Sequence, residues 1–146
     1  MDMDEKVALI MRLDTAINKL DGAYYLWARR HLLKENTLSV LYALDDGKPH
    51  TQAQIARDWL IPRSTVNTVV KELVALGYAR LTKLNDKEKW VELTAEGEVY
   101  AKAALKELYD AEIAAIDKTI EVFSPAFVDA LEKYTDTLCL GLNIKK

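Results

Sequence analysis

Apolar residues near the start of the chain recur at Ile10, Leu13, Ile17, Leu20, Tyr24 and Trp27, alternately three and four positions apart. That spacing places them on one stripe of a helix, either a heptad seam for a second helix or the inner face of an ordinary amphipathic one. A shorter helix is predicted over Leu38 to Leu44, capped by Asn36 or Thr37 and ended by Asp45-Asp46-Gly47 and Pro49. Thr51 and Gln54 have the spacing of a capping box, so a helix should run from there to about Trp59. Pro62 donates no backbone hydrogen bond and disfavours helix in the residue before it. The chain must therefore turn at Leu60-Ile61 and restart as a helix from Pro62 to about Leu76, stopped by Gly77.

Beyond that point the period changes. Ala79 to Leu84 and Lys89 to Leu93 flank the polar cluster Asn85-Asp86-Lys87-Glu88, and Lys89, Val91 and Leu93 alternate with Trp90 and Glu92, as in a short β-hairpin. Thr94 then caps a long helix to about Glu121, with Leu105, Leu108, Ile113, Ile116 and Ile120 on its apolar side. Ser124-Pro125 starts a last helix that carries Phe127, Leu131, Tyr134, Leu138 and Leu142.

Two helices joined by a tight turn and followed at once by a hairpin make a winged helix-turn-helix. The fold expected is mostly α with a small β-hairpin wing and long N- and C-terminal dimerisation helices. One intertwined domain would hold an N-terminal dimerisation helix over 1–35, a DNA-binding lobe over 36–97 and C-terminal dimerisation helices over 98–146. In the second helix of the motif Val66, Val69, Val70, Leu73 and Leu76 share the side that must pack, whereas Ser64, Asn67, Thr68, Lys71 and Ala75 share the other. A small, hydrogen-bonding outer face suits a helix that enters a major groove and touches base edges. Arg63 lies in the first turn, where a recognition helix meets bases, and Lys71 two turns on, where phosphate is nearer.

Charge at first argues against nucleic acid, because the 146 residues carry a net −3. Its distribution reverses that. Between Lys48 and Lys89 eight basic residues face four acidic ones, a local +4 inside a frame of −7. The 50% hydrophobic content suffices for one packed core. One cysteine, Cys139, excludes an internal disulfide, and its place between Leu138 and Leu140 suggests a buried structural residue. His31 and His50 are too isolated to propose a metal site, no glycine-rich phosphate loop occurs, and no catalytic triad suggests itself, so neither an enzyme nor a cofactor is expected. Neither a signal peptide nor a membrane span is evident, and the location expected is cytoplasmic.

The sequence resembles the multiple-antibiotic-resistance regulator (MarR) family of winged-helix repressors. The likeness is carried by Pro62-Arg63-Ser64-Thr65-Val66 at the recognition helix, by Lys71-Glu72-Leu73 through Gly77-Tyr78, and by Val91-Glu92-Leu93-Thr94-Ala95-Glu96-Gly97 closing the wing. It implies a homodimer that binds double-stranded DNA at a palindromic operator and represses transcription. Arg63, Ser64, Asn67 and Thr68, with Thr65 beside them, would then meet bases, and Lys71, Lys83 and Lys87 backbone or minor groove. The family's wing carries an aspartate and, two residues on, an arginine, where this chain has Asn85 and Lys87. Lysine keeps the charge and loses the planar fork. The resemblance further implies a pocket for a small aromatic or phenolic effector, for which Tyr24, Tyr25, Trp27, Arg30 and His31 are candidates, although core packing explains Tyr24 and Trp27 equally well. The alternative is a winged helix used as a protein-interaction module without specific DNA binding.

Overall fold

The computed structural model describes residues 1–144; the last two residues of the expected 98–146 segment lie outside it. The described residues form α1 (Met3–Arg30), α2 (Glu35–Leu44), β1 (His50–Thr51), α3 (Gln52–Trp59), α4 (Arg63–Ala75), β2 (Ala79–Lys83), β3 (Lys89–Leu93), α5 (Ala95–Phe123) and α6 (Ala126–Gly141). β2 and β3 pair antiparallel as the predicted hairpin, with Leu81 opposite Val91 and Lys83 opposite Lys89. The two-residue strand β1 was not foreseen. It adds to the other edge of β3, His50 opposite Val91, and ties the entry to α3 to the wing.

Local chemistry accounts for most of the boundaries. The Thr51 hydroxyl accepts from the Gln54 amide at 3.1 Å while the Gln54 side chain accepts from the Thr51 amide at 2.9 Å, the predicted capping box. Asp2 and Glu5 build another at the start of α1. α4 ends in a Schellman turn: the Tyr78 amide donates to the Leu73 carbonyl and the Gly77 amide to that of Val74, with Gly77 left-handed at φ 77°. The turn between α3 and α4 needs the same left-handed geometry and takes it from Leu60, at φ 48°. An L-residue there costs about 1 to 2 kcal/mol.

Two boundary readings require correction. α2 begins at Glu35 rather than Leu38 and its N-cap is Lys34, so neither Asn36 nor Thr37 caps it; both sit inside the first turn. Leu76, expected on the packed side of α4, is 64% exposed, because it follows the last helical residue and no longer holds the helix phase.

The core is drawn almost wholly from the central lobe: Val40, Leu41 and Leu44 of α2, Ile55 of α3, Val66, Val70 and Leu73 of α4, Val91 of β3, and Ala101 and Leu105 of α5. Fully burying a side chain of the larger kinds stabilises by about 1.5 to 3 kcal/mol. The helical arms behave differently. α1 buries only Ala28, α5 nothing beyond Leu108, and α6 no residue at all. Ile10, Leu20, Ile113, Ile116 and Leu138 are therefore exposed in the isolated protomer, and Cys139, expected to be buried, is only partly so.

One close contact joins the end of the recognition helix to the start of α5. The Thr94 amide donates to the Tyr78 carbonyl at 3.0 Å, the Thr94 hydroxyl donates to the Gly77 carbonyl at 2.6 Å, and the same hydroxyl accepts from the Gly97 amide at 3.0 Å. A Cβ at position 97 would lie 1.8 Å from the Tyr78 carbonyl oxygen. We expect Gly97→Ala to cost at least about 2 kcal/mol through overpacking. Gly22→Ala, in α1 with nothing within 4 Å of the added methyl, should be neutral or stabilising. Thermal melts of the two variants check the contrast.

Candidate nucleic-acid interface

Four buried residues, Val66, Val69, Val70 and Leu73, fix the rotation of α4 about its axis. Ser64, Thr68 and Lys71 are consequently exposed, and Thr65 and Asn67 half-buried at the margin. The Thr68 hydroxyl donates to the Ser64 carbonyl at 3.0 Å, which leaves its oxygen able to accept. Arg63 is the first helical residue, directly after Pro62, and is exposed.

Lys87, which the sequence places far from Arg63 at the tip of the wing, lines the same groove as Arg63. The groove, of about 160 Å³, is completed by Lys89, Glu88 and the first turn of α3 with its cap, Thr51, Gln52 and Ala53. The Thr51 hydroxyl serves only the Gln54 amide, so the amides of Gln52 and Ala53 retain the orphan donors of a helix start and its partial positive charge. Three cationic side chains and a helix N-terminus around one slot suit a phosphate oxygen. Lys89 and the α3 start were missed as site residues. The capping box was the available signal, since it announced a helix N-terminus without saying what faced it.

Ion pairing divides the basic residues of the central segment. Arg80 pairs with Glu92 at 2.8 Å, Lys83 with Asp86 at 3.2 Å and Arg57 with Asp58 at 3.5 Å. Among the described residues no acidic partner lies within 4.0 Å of Arg63, Lys71, Lys87 or Lys89. Apart from Lys48, before β1, the uncompensated cations of this segment thus gather on α4 and the wing. At the wing tip the Asn85 side-chain carbonyl accepts from the amides of Lys87 at 2.8 Å and Glu88 at 2.9 Å, and the Glu88 carbonyl accepts from the Leu84 and Asn85 amides. Asparagine here does the turn-forming work that an aspartate at that place also can.

A second region gathers the aromatic residues. Tyr24, Trp27 and Arg30 line a cavity of about 920 Å³ between α1 and α5, with Leu108, Ile116 and Phe127 opposite. His31 is not in it: its ring stacks on Trp27 at 4.2 Å, Nδ1 donates to the Trp27 carbonyl, and Nε2 lies 3.1 Å from Glu107. Tyr25 is exposed on another face of α1 and does not join the group. Tyr42, Tyr109, Trp59 and Glu112 were all missed. Both oxygens of the Glu112 carboxylate accept from phenols, Oε1 from Tyr24 at 2.5 Å and Oε2 from Tyr42, while Tyr109 donates to Asp45 at 2.9 Å. These partners lie 64 to 88 residues apart, so no local spacing reveals them.

Residues 33–86, from the residues before α2 to the wing tip, match a family model described as MarR family. The matched segment is of the MarR family. DNA-binding regulation of transcription is the function that this family implies. No curated protein matches the chain in sequence. In fold the likeness to MarR structures extends over nearly the whole chain. A MarR family regulator from Neisseria meningitidis superposes with a TM-score of 0.72 at 24% identity, covering 92% of this chain and 94% of that one. BldR, a transcriptional regulator from Sulfolobus solfataricus, gives 0.65 at 18% identity, with 94% and 97% covered. NadR, solved with 4-hydroxyphenylacetate, gives 0.68 at 17% identity, with 88% and 89% covered. No helix among the described residues is long and apolar enough to cross a membrane.

The aromatic cluster around this MarR-type lobe has a consequence at high pH. Burial first, then the hydrogen bond to Glu112, pushes the Tyr24 phenol up to about 12, and the same causes raise Tyr42. Burial and Asp45 raise Tyr109. The folded protein holds protons that the unfolded chain releases above its ordinary value near 10, so the stabilisation is complete below that pH and is lost as pH rises towards 12. Ultraviolet titration should show these phenols ionising late, and denaturant midpoints should fall between about pH 9 and 11. Equal midpoints across that range would contradict the assignment.

Proposed function

We propose that the chain is a homodimeric repressor that binds a palindromic operator in duplex DNA and is released by a small aromatic or phenolic effector. The observation that carries this reading is the separation of charge described above: unpaired Arg63, Lys71, Lys87 and Lys89 stand beside the short polar face of Ser64, Asn67 and Thr68. Cations without internal partners supply the sequence-independent attraction to phosphate, and the short side chains supply the room to touch base edges.

Dimerisation is supported by the exposed apolar residues of α1, α5 and α6, which no element of the same protomer covers. Two lobes related by a twofold axis would read two half-sites about one DNA turn apart, hence the palindrome. The effector reading draws on Tyr24, Trp27 and Arg30 around the α1–α5 cavity, where aromatic walls and one guanidinium suit a phenol or aromatic acid. The solved complex of NadR with 4-hydroxyphenylacetate shows a ligand of that class on a similar fold. An effector that favours one spacing of the lobes lowers DNA affinity by its differential affinity for the two states. A regulator of this kind works where the DNA is, in the cytoplasm.

Arg63→Ala should weaken operator binding by about 1 to 3 kcal/mol and relax preference at one position per half-site. Lys87→Ala should weaken operator and random DNA alike and make the salt dependence shallower by roughly one to two units per dimer. Affinities for both DNAs at several salt concentrations decide the matter: operator preference unchanged in Arg63→Ala removes α4 from the major groove. Sedimentation should show a dimer at micromolar concentration, and a monomer there would remove the basis for a palindrome.

A further inference from the structure

The side chains on the outer face of α4 differ in what they can still offer a base. Arg63 and Lys71, towards its two ends, carry donors only. A serine hydroxyl such as that of exposed Ser64 gives or takes a proton, and so can meet any base. Thr68 is different. Its hydroxyl donates to the Ser64 carbonyl at 3.0 Å, and because a carbonyl only accepts, the hydroxyl proton is committed. What exposed Thr68 presents outward is therefore an acceptor oxygen beside a methyl group.

That presentation is held in the free protomer. Threonine is branched at Cβ, and in a helix the bond to the carbonyl four residues back selects one of two χ1 positions, which sets the methyl group together with the oxygen. Thr15, Thr119, Thr135 and Thr137 make the same bond on the other long helices. It is thus the resting arrangement of helical threonine in this chain, and offering a proton to a base would mean breaking it.

The base pairs are unequal partners for such a side chain. In the major groove the donors are the N6 amino group of adenine and the N4 amino group of cytosine, whereas guanine and thymine oxygens would set lone pair against lone pair. Only the A·T pair also carries a methyl group on that edge, at thymine. An acceptor and a methyl on one stiff side chain match it at both points. Asn67, the preceding residue at the margin of the same face, has the amide that pairs with adenine through N6 and N7.

We propose that Thr68 is a specificity-determining residue that selects an A·T pair in each half-site, its oxygen accepting from the adenine amino group and its methyl group lying on the thymine methyl. The inference deepens the reading of α4 as the helix in the major groove, and rests on it.

The test begins with selection of bound duplexes from a random pool by the full chain, by Thr68→Val and by Thr68→Ser. Valine keeps the methyl group and removes the oxygen; serine keeps the oxygen and removes the methyl group. One position per half-site should prefer A·T with the wild-type protein and lose part of that preference with each variant. At that pair, 2-aminopurine in place of adenine moves the amino group to the minor groove, and uracil in place of thymine removes the methyl group. Wild-type affinity should fall roughly three- to tenfold with 2-aminopurine and about fourfold with uracil. Thr68→Val should be indifferent to 2-aminopurine and still sense uracil, and Thr68→Ser should do the reverse. Circular dichroism checks that both variants fold; if one does not, the modified bases with the wild-type protein and the other variant decide. The inference is overturned if the pair that responds to position 68 is G·C, if the wild-type protein is indifferent to either modified base, or if the folded variants keep both wild-type sensitivities. A pool that enriches no sequence overturns specific recognition by α4 and this inference with it. An enriched operator that does not respond to position 68 overturns the inference alone.

Discussion

The contact between Gly97 and the Tyr78 carbonyl is the constraint on which the winged half of the molecule depends. Sheet and recognition helix could each form with other relative positions; what sets their relation is that chain leaving α4 and chain entering α5 cross within hydrogen-bonding distance. Thr94 serves both sides of the crossing, as N-cap to α5 and as donor to Gly77. Since α5 also supplies Ala101 and Leu105 to the core, the crossing transmits the position of the long helix to α4 and to the wing. The long helix and the outer face of α4 are thereby tied through a single crossing.

Much of this was legible in the sequence because the signals were local. Thr51 with Gln54, Pro62, Gly77 and Thr94 each act within four residues, and each sits where expected. The inner face of α4 followed from helical period alone, except at Leu76, where the helix had already ended. α2 started early for the same kind of reason: Lys34 offers no side-chain cap, so the start is set by packing of Leu38 and Leu41, which local chemistry does not report.

The candidate site was legible in part. Periodicity supplied the outer face of α4, whereas the groove that unites Arg63 with Lys87 and the start of α3 is a product of β1 joining the wing, and a two-residue strand leaves no alternating pattern to read. The aromatic region divided similarly. Tyr24, Trp27 and Arg30 were visible as neighbours on one helix, but the carboxylate that organises the tyrosines comes from α5. His31 fell out because its ring is turned back along its own helix towards Trp27.

The Asn85 turn bears on how the wing meets its target. Two backbone amides bound to one side chain hold the hairpin tip in a single shape in the free protomer. The entropy of ordering those residues is then lost on folding rather than on association, which favours affinity and leaves the encounter geometry defined from the outset. It also makes the tip modular. Residues at 86 and 87 can exchange without disturbing the loop as long as Asn85 remains, so a lineage could retune the reach and charge of the wing while the frame beneath it stays the same.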